Sequence, residues 1–344
     1  MRVSRSALAR LLTQVTKAVE TKNTIPILAT VRLVSDNNRL TVTGTNLNVE
    51  MSGSIEADGD LAVCIDAKLL AAAVNKAGGD DLAFEADGTT ATLKAGRSRY
   101  KLPVLPVDDF PTMQTGEFTA EFDADPAAMF APVAFAMSDE TTRFYLCGAY
   151  LEPHAVTATN GHKLSSVAHD LGVEFKPVIV PSGTVALAPK GNTKVRISGT
   201  KIQFCTDDVV LTSALVDGSY PDYERVIPRG LENVAVFDNA AMKAAVDRVA
   251  IVSQDKAPSV RLDLTTAEIS VSARGDGEAD DVVPCAYDGP AQAVGFNARY
   301  LGEVLGCLPN GDVRMAVGDC NGPVVFTSDA APAQRVVCMP VRVV

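Results

Sequence analysis

Three histidines are the residues whose chemistry could most readily support catalysis or metal binding. His154, His162 and His169 lie eight and seven residues apart, and Asp170 follows the last of them. These spacings match neither an HExxH helix nor a zinc-binding pattern. The chain also lacks a Walker loop, a GxSxG elbow and a GxGxxG turn. We therefore predict that the protein is not an enzyme and that it needs neither a metal nor a cofactor.

The cysteines indicate a cellular compartment rather than a site. They are odd in number, stand singly and form no CxxC pair, which favours free buried thiols in a reducing cytoplasm. They are Cys64, Cys147, Cys205, Cys285, Cys307, Cys320 and Cys338. No apolar run approaches the length of a bilayer span, and the N-terminus lacks the apolar block of a signal peptide. We expect a cytoplasmic protein with no membrane partner.

The elements that must position any site repeat three times along the chain. One amphipathic helical pattern recurs at residues 6–19, 125–137 and 238–252, and a short strand precedes each copy. The predicted N-caps are Ser6 and Asp125, and the third copy begins at Asp238. The buried stripe of the first copy consists of Leu8, Leu11, Leu12, Val15 and Val19. Chance similarity between amphipathic helices is the alternative, but order and spacing favour a true triplication.

A second helix follows later in each third. Asp66 and Asn297 are predicted caps for two of these helices, whereas the Gly- and Pro-rich stretch at residues 181–189 predicts a short helix in the middle third. Pro132 predicts a kink in the other middle-third helix. Period-two alternation between the helices predicts strands. The sequence therefore indicates an α+β chain of three similar domains, residues 1–118, 119–231 and 232–344, each with two helices on antiparallel sheet.

Charge argues against binding of nucleic acid by bulk attraction. The net charge is −11, and the three thirds carry −1, −4 and −6. A basic stripe nevertheless lies on the first helix, where Arg10 and Lys17 are seven residues apart and point nearly the same way. Lys68 and Lys76 lie on the second helix. The stripe could be an ordinary solvated face, or it could meet phosphates if two chains close head to tail into a ring lined by helices.

Six stretches in a fixed order carry a family resemblance along the whole chain. They are Thr24–Leu28, Arg143–Gly148, Ala158–Leu164, Gly218–Pro228, Phe296–Leu301 and Met339–Val343. The chain resembles the beta subunit of bacterial DNA polymerase III, the sliding clamp. The resemblance implies three DNA-clamp domains, a head-to-tail homodimer forming a six-domain ring, and a processivity factor that encircles duplex DNA without reading its sequence.

The resemblance also implies a pocket for a short Gln/Leu/Phe-bearing peptide. The proteins that carry this peptide would be the alpha subunit of DNA polymerase III, the clamp loader and other clamp-binding proteins. The matching positions are Leu146, Thr159, Gly161, His162, Lys163, Leu164, Pro221, Arg225, Val226, Met339, Pro340, Val341 and Arg342. Apolar side chains would make the floor and a few polar groups would fix the peptide. A type I′ turn at Asn160–Gly161 is the structural alternative for that stretch, and both can hold.

Two further surfaces complete the predicted site. The predicted DNA-facing residues are Arg10, Lys17, Lys22, Arg143, Phe144 and Tyr145. The alternative for Phe144 and Tyr145 is opposite faces of a buried strand. At the predicted dimer seam, Phe110 packs against Ile251 and Val252 of the other chain, with intradomain core as the alternative.

The sequence departs from the family pattern at several positions. Asn160 and Lys163 replace the usual Asp and Arg, and the chain ends in Val343–Val344 instead of a single Leu. The first helix of the middle third carries no basic residue. A second functional hypothesis therefore stays open: a clamp-fold interaction module, a divergent or mobile-element copy, that binds clamp partners without encircling DNA.

Overall fold

The order of secondary structure repeats three times along the chain. The computed structural model describes residues 1–20, 24–253, 258–319 and 321–342. Within them, each third runs through a strand, a helix, four strands, a second helix and three strands. The α+β class and the repeated two-helix plan predicted from the helical pattern are confirmed.

The bounds of the elements show how closely the thirds agree. The first third contains β1 (Arg2–Ser4), α1 (Arg5–Val15), β2 (Thr30–Asp36), β3 (Arg39–Thr45), β4 (Val49–Asp58), β5 (Leu61–Asp66), α2 (Ala67–Lys76), β6 (Asp81–Ala86), β7 (Thr90–Ala95) and β8 (Ser98–Leu105). The middle third contains β9 (Phe118–Ala124), α3 (Pro126–Ala134), β10 (Gly148–Leu151), β11 (Ala155–Thr159), β12 (Lys163–Ala168), β13 (Val178–Pro181), α4 (Ser182–Ala186), β14 (Thr193–Ser198), β15 (Lys201–Cys205) and β16 (Val209–Ala214). The last third contains β17 (Asn233–Asp238), α5 (Asn239–Val249), β18 (Ser259–Leu264), β19 (Glu268–Arg274), β20 (Glu278–Tyr287), β21 (Gln292–Asn297), α6 (Ala298–Cys307), β22 (Asp312–Val317), β23 (Val324–Ser328) and β24 (Gln334–Cys338).

Short polar residues cap the helices at their N-termini. Asp66, Asp238 and Asn297 each accept hydrogen bonds from main-chain N–H groups of the first turn at 2.7 to 3.2 Å. The caps predicted at Asp66 and Asn297 are confirmed. The predicted cap at Ser6 is wrong, because α1 begins at Arg5 and the hydroxyl of Ser4 accepts from the first turn. The pairing of β1 with β6 runs through Ser4 and so fixes where the helix can start.

The two middle-third helices are short. α3 contains Pro132 and ends at Ala134, three residues before the predicted end. The next residues form i→i+3 hydrogen bonds, with Ala136 donating to Val133 at 2.9 Å. α4 has five residues, as the glycine and proline content predicted.

Two antiparallel sheets divide the chain into two compact units. The first unit comprises residues 1–126 and 186–215, and its strands follow the order β1-β6-β7-β8-β5-β2-β3-β4-β16-β15-β14-β9. The second unit comprises residues 127–185 and 216–344, with the order β13-β10-β11-β12-β24-β23-β22-β17-β20-β19-β18-β21. Each unit thus contains one complete third and half of the middle third. The domain boundaries at 118 and 231 stay predictions.

Equivalent strands join neighbouring thirds in both units. In the first unit β16 pairs with β4, and in the second unit β24 pairs with β12. Gly53 makes the first junction possible, because a Cβ there would lie 2.5 Å from the carbonyl oxygen of Asp208 and 2.5 Å from a methyl group of Leu11. The last strand of one third therefore completes the sheet of the third before it.

The helices bury their apolar stripes against these sheets. Leu8, Leu11, Leu12 and Val15 of α1 are buried, as is Val19 beyond its end, which confirms the predicted stripe. In the second unit, Met242, Val246 and Val249 of α5 pack into one core with Leu301, Val304 and Leu305 of α6. Among the described residues, no helix combines the length and apolar character of a membrane span.

Candidate functional site

The candidate pocket is built around the turn between β11 and β12. Asn160 accepts hydrogen bonds through its carboxamide oxygen from the N–H groups of His162 and Lys163, at 2.9 and 3.0 Å. Gly161 takes the positive φ, 89°. Asn160 has no positive φ, so the turn is not the type I′ turn considered above, which needs two such residues. The asparagine side chain instead holds the loop as an Asx turn.

A cavity of about 190 Å³ lies beside this turn in the second unit. Leu164 of β12 and Val337 of β24 are register partners and form its floor with Tyr223. The predicted pocket residues that line it are Leu146, Thr159, Gly161, His162, Lys163, Leu164, Pro221, Val226 and Met339. The lining is mostly apolar, with main-chain polar groups at one wall, which suits a short apolar peptide.

Four predicted pocket residues lie outside this lining. Arg225 is exposed and pairs with Asp222 at 2.7 Å. Val341 donates its N–H to Gly295 at 2.8 Å, which ties the tail to β21. Pro340 is half-buried and Arg342 is exposed. The structure therefore does not bring these four residues into the wall of the cavity.

Two residues that line the cavity, Val337 and Tyr223, were not predicted from the sequence. Val337 could have been found, because it stands two positions before Met339 and alternate strand residues share a face. Tyr223 lies within a matched stretch, but its side chain reaches the floor only through tertiary packing. Its hydroxyl donates to Glu152 at 2.6 Å, and burial raises the pKa of this phenol to about 12. Tyr223 therefore serves as a neutral part of the floor.

The tail and the turn form one continuous wall. Met339 donates its N–H to the carbonyl oxygen of His162 at 2.8 Å. The ring of His162 stacks on Tyr300 of α6 with centroids 5.6 Å apart. These contacts fix the last described residues, which in most chains fray.

Lys163 is a buried charge behind this wall. Its ammonium pairs with Glu303 of α6 and faces the rings of Phe135 and Tyr300, both at 5.3 Å. A cation removed from water needs such partners. The lysine that replaces the family arginine is therefore satisfied within the chain.

The predicted DNA-facing cations of the first third are exposed. Arg10 lies on α1 and Lys17 in the turn after it, while Lys68 and Lys76 lie on α2, which contacts α1. None of the four forms an ion pair within residues 1–20, 24–253, 258–319 and 321–342. Lys22 lies outside the described residues.

On the helices of the last third, in contrast, the basic residues form ion pairs. Lys243 pairs with Asp247 at 3.1 Å, and Arg248 pairs with Asp281 at 2.6 Å. Their charges are partly neutralised within the chain. Unpaired positive charge on the described helices is thus concentrated in the first third.

The aromatic pair lies in a 3₁₀ turn, residues 141–146, rather than in a strand. Phe144 is half exposed and meets Tyr145 edge to face, with centroids 5.7 Å apart. The buried-strand interpretation of this pair is therefore wrong. Arg143 donates from Nε to Glu140 at 2.8 Å, so its charge is largely compensated.

The three predicted seam residues differ in exposure. Ile251 is 73% exposed, and the core alternative is therefore wrong for it. Val252 is half-buried and packs against the core of the last third, as the core alternative predicts. Phe110 is buried within the first unit, so a partner could cover little more of it.

The histidines do not form a site, although the main-chain N–H of His169 donates to the carbonyl oxygen of His154 at 2.9 Å. His154 lies on the surface, 3.2 Å from Glu174. His169 lies within hydrogen-bond distance, 2.9 Å, of the carbonyl oxygen of Glu152, and His162 stacks on Tyr300. In the described part of the chain, no cluster of His, Cys, Asp or Glu has the geometry of a metal site.

Three family models match the chain consecutively and cover nearly all of it. They describe the N-terminal, central and C-terminal domains of the DNA polymerase III beta subunit, and they match residues 1–114, 127–222 and 224–342. The chain belongs to the DNA polymerase III beta subunit family. Members of this family, the beta sliding clamps, are non-catalytic processivity factors.

Individual relatives agree over full length. The beta sliding clamps of Caulobacter vibrioides and Escherichia coli are 34% and 29% identical, with 99% of each chain covered. The solved pol III beta of Caulobacter crescentus matches with a TM-score of 0.95 at 32% identity, covering 99% of both chains. The DNA polymerase III subunit beta of Pseudomonas aeruginosa matches with a TM-score of 0.94 at 30% identity over the whole of both chains.

Proposed function

We propose that two copies of this chain close head to tail into a ring around duplex DNA and slide along it without reading sequence. The ring would tether the replicative polymerase and other partners through peptides bound in the pocket beside the β11–β12 turn. The cytoplasm, where the chromosome is replicated, is the compartment in which such a ring works.

The observation that carries this proposal is the repeated strand junction. β16 completes the edge at β4, and β24 completes the edge at β12. The third equivalent pair is β8 with β20. Within the described chain, β8 pairs with β7 and β5, and residues 278–283 of β20 pair only with β19. A second copy of the chain can supply the missing partner for each, and two such junctions close a ring.

The chemistry of these two edges is complementary. β8 exposes Arg99 and Lys101, whereas β20 exposes Glu278 and Asp280. The apolar Ile251 and Val282, 73% and 48% exposed, are presented by the same unit as β20. Apolar contact with flanking opposite charges is the composition of a specific interface.

The basic surface of the first third would face the DNA phosphates. Arg10, Lys17, Lys68 and Lys76 are exposed and unpaired in the described ranges, so they can release counterions from DNA. A chain with net charge −11 cannot hold DNA by attraction alone. A closed ring does not depend on this attraction, because it stays on the DNA by encircling it.

A linearisation experiment tests the proposal. The chain is loaded by a clamp loader onto nicked circular DNA, washed in high salt, and followed after the circle is cut. A ring stays on the circle in high salt and leaves the linear DNA through its ends. Loss from the intact circle in high salt would instead favour an interaction module that does not encircle DNA. Light scattering should give twice the 36.1 kDa of one chain.

A further inference from the structure

Lys163 is the only charged residue among the buried side chains of the described ranges, with 6% of its surface exposed. Its ammonium is held by Glu303 and by the faces of Phe135 and Tyr300. Since an unpaired charge at this depth costs several kcal/mol, the lysine and the carboxylate depend on each other.

The alternation of β12 turns the Lys163 side chain away from the pocket floor. Leu164 packs with Val337 and Tyr223 at the floor. Lys163 is the register partner of Cys338, which packs into the core with α6. Successive strand residues point to opposite faces, so Lys163 lines the pocket through its main chain while its charged end contacts α6.

The main chain of Lys163 belongs to the network that shapes the pocket wall. Its carbonyl oxygen accepts from the hydroxyl of Thr159 at 2.8 Å, and its N–H donates to Asn160 at 3.0 Å. The adjacent carbonyl of His162 accepts from Met339 at 2.8 Å. A shift of Lys163 would therefore move the turn and the tail together.

We propose that Lys163 is a positioning residue whose ion pair with Glu303 fastens the β11–β12 turn to α6 and so sets the wall that the partner peptide meets. This inference depends on the proposed role of the pocket in binding that peptide. Without the carboxylate, the ammonium loses its anionic partner and moves toward the polar cavity that it borders together with Asn160 and Glu303, and the turn moves with it. When both charges are removed, the turn keeps its position, because an apolar pair of similar volume can fill the same space.

Three variants separate positioning from direct recognition. Glu303→Gln leaves the lysine unpaired, and Lys163→Met with Glu303→Leu removes both charges. Arg299→Ala is the matched control, since Arg299 pairs with the same carboxylate at 3.2 Å but is 76% exposed. Calorimetry measures the affinity for a short synthetic peptide carrying the Gln/Leu/Phe motif. Hydrogen exchange of the Met339 amide measures whether its hydrogen bond to His162 persists, and therefore whether the turn and the tail keep their positions.

The proposal predicts a different peptide affinity for each variant. Glu303→Gln weakens peptide binding about tenfold and speeds exchange at Met339, because the turn moves. The double variant binds within about threefold of the parent, and Arg299→Ala is unchanged. If Lys163 contacted the peptide itself, Glu303→Gln would bind at least as tightly as the parent and the double variant would lose binding; either result overturns the proposal.

Two further outcomes are distinguishable. If Glu303→Gln does not fold, Glu303→Asp, which keeps the charge but is one methylene group shorter, replaces it: weaker binding with faster exchange at Met339 supports positioning, and parent values of both contradict it. If the parent chain binds no peptide, the proposed function of the pocket fails, and this inference fails with it.

Discussion

The main-chain N–H of Met339 donates a hydrogen bond of 2.8 Å to the carbonyl oxygen of His162, which makes the C-terminal tail part of the pocket. Deleting residues 339–344 should therefore abolish peptide binding. The fold should persist, because β24 ends at Cys338 and keeps its pairing with β12 and β23. Calorimetry with the motif peptide and a thermal melt check both parts. Undiminished binding by the truncated chain would place the peptide elsewhere.

The apolar part of the predicted seam can be tested on its own. Ile251→Ala with Val252→Ala removes an exposed isoleucine and its half-buried neighbour. We expect monomers at micromolar concentration, since buried apolar area is the main driving force for association. Sedimentation equilibrium measures the mass. Val226→Ala, at a 46% exposed valine of the pocket in the second unit, is the control and should stay dimeric. A dimeric double variant would mean that the seam lies elsewhere.

The charged part of the seam allows a reversal experiment. Arg99→Glu with Lys101→Glu should weaken the dimer about tenfold or more, because these side chains would then oppose Glu278 and Asp280 of the second copy. Mixing this variant with Glu278→Lys, Asp280→Lys chains should restore both junctions of the mixed dimer, one with the charges reversed and one as in the parent. Sedimentation of each variant and of the mixture gives the answer. Mixed chains that remain as dissociated as the first variant would exclude the pairing of β8 with β20.

Loading should depend on the basic stripe. Arg10→Glu with Lys17→Glu replaces two exposed cations without touching the buried stripe of α1. We expect loading onto nicked circular DNA to slow about tenfold, most at low salt, with an unchanged melting temperature. Lys176→Glu with Lys190→Glu makes the same change of net charge at exposed positions away from these helices. Equal loading by the two variants would remove the stripe from the DNA surface.

Tyrosine ionisation should limit stability at high pH. Burial raises the pKa of Tyr223 to about 12 and raises that of Tyr220 as well, compared with about 10 in an unfolded chain. A raised acid pKa stabilises the fold fully below pH 10, and the contribution is lost as pH rises toward 12. The free energy of unfolding should then fall by at most about 1.4 kcal/mol per pH unit for each tyrosine.

Urea unfolding at pH 9 and pH 11 measures this fall. Tyr223→Phe should reduce the loss between the two pH values, although it also removes the hydrogen bond to Glu152. Tyr100→Phe, in the first unit, is the control and should keep the loss of the parent. An unchanged loss in Tyr223→Phe would show that this phenol does not govern the alkaline limit.

The predictions that were confirmed depend on local chemistry. The caps Asp66 and Asn297 could be placed because a short polar side chain binds N–H groups only a few residues away. The cap at Ser6 was misplaced because two serines stand near each other and the strand pairing of Ser4, set by β6, decides between them.

The features that could not be predicted join distant parts of the chain. Lys163 and Glu303 are 140 residues apart, and no pattern around either one names the other. The pairing of β16 with β4 likewise depends on which sheet edge is open after folding. The resemblance supplied the pocket residues, but it could not assign Lys163 to the back of the wall, which follows from strand register.

The middle third has a consequence for cooperativity. Its β9 and β14–β16 complete the sheet of the first unit, while its β10–β13 complete that of the second. Residues 119–231 expressed alone would thus expose two unpaired sheet edges, at β16 and at β12, and would aggregate rather than fold. The repeat in the sequence is therefore a different segment from the compact unit of the fold, and a middle repeat excised on its own would lack the strands that cover both of its edges.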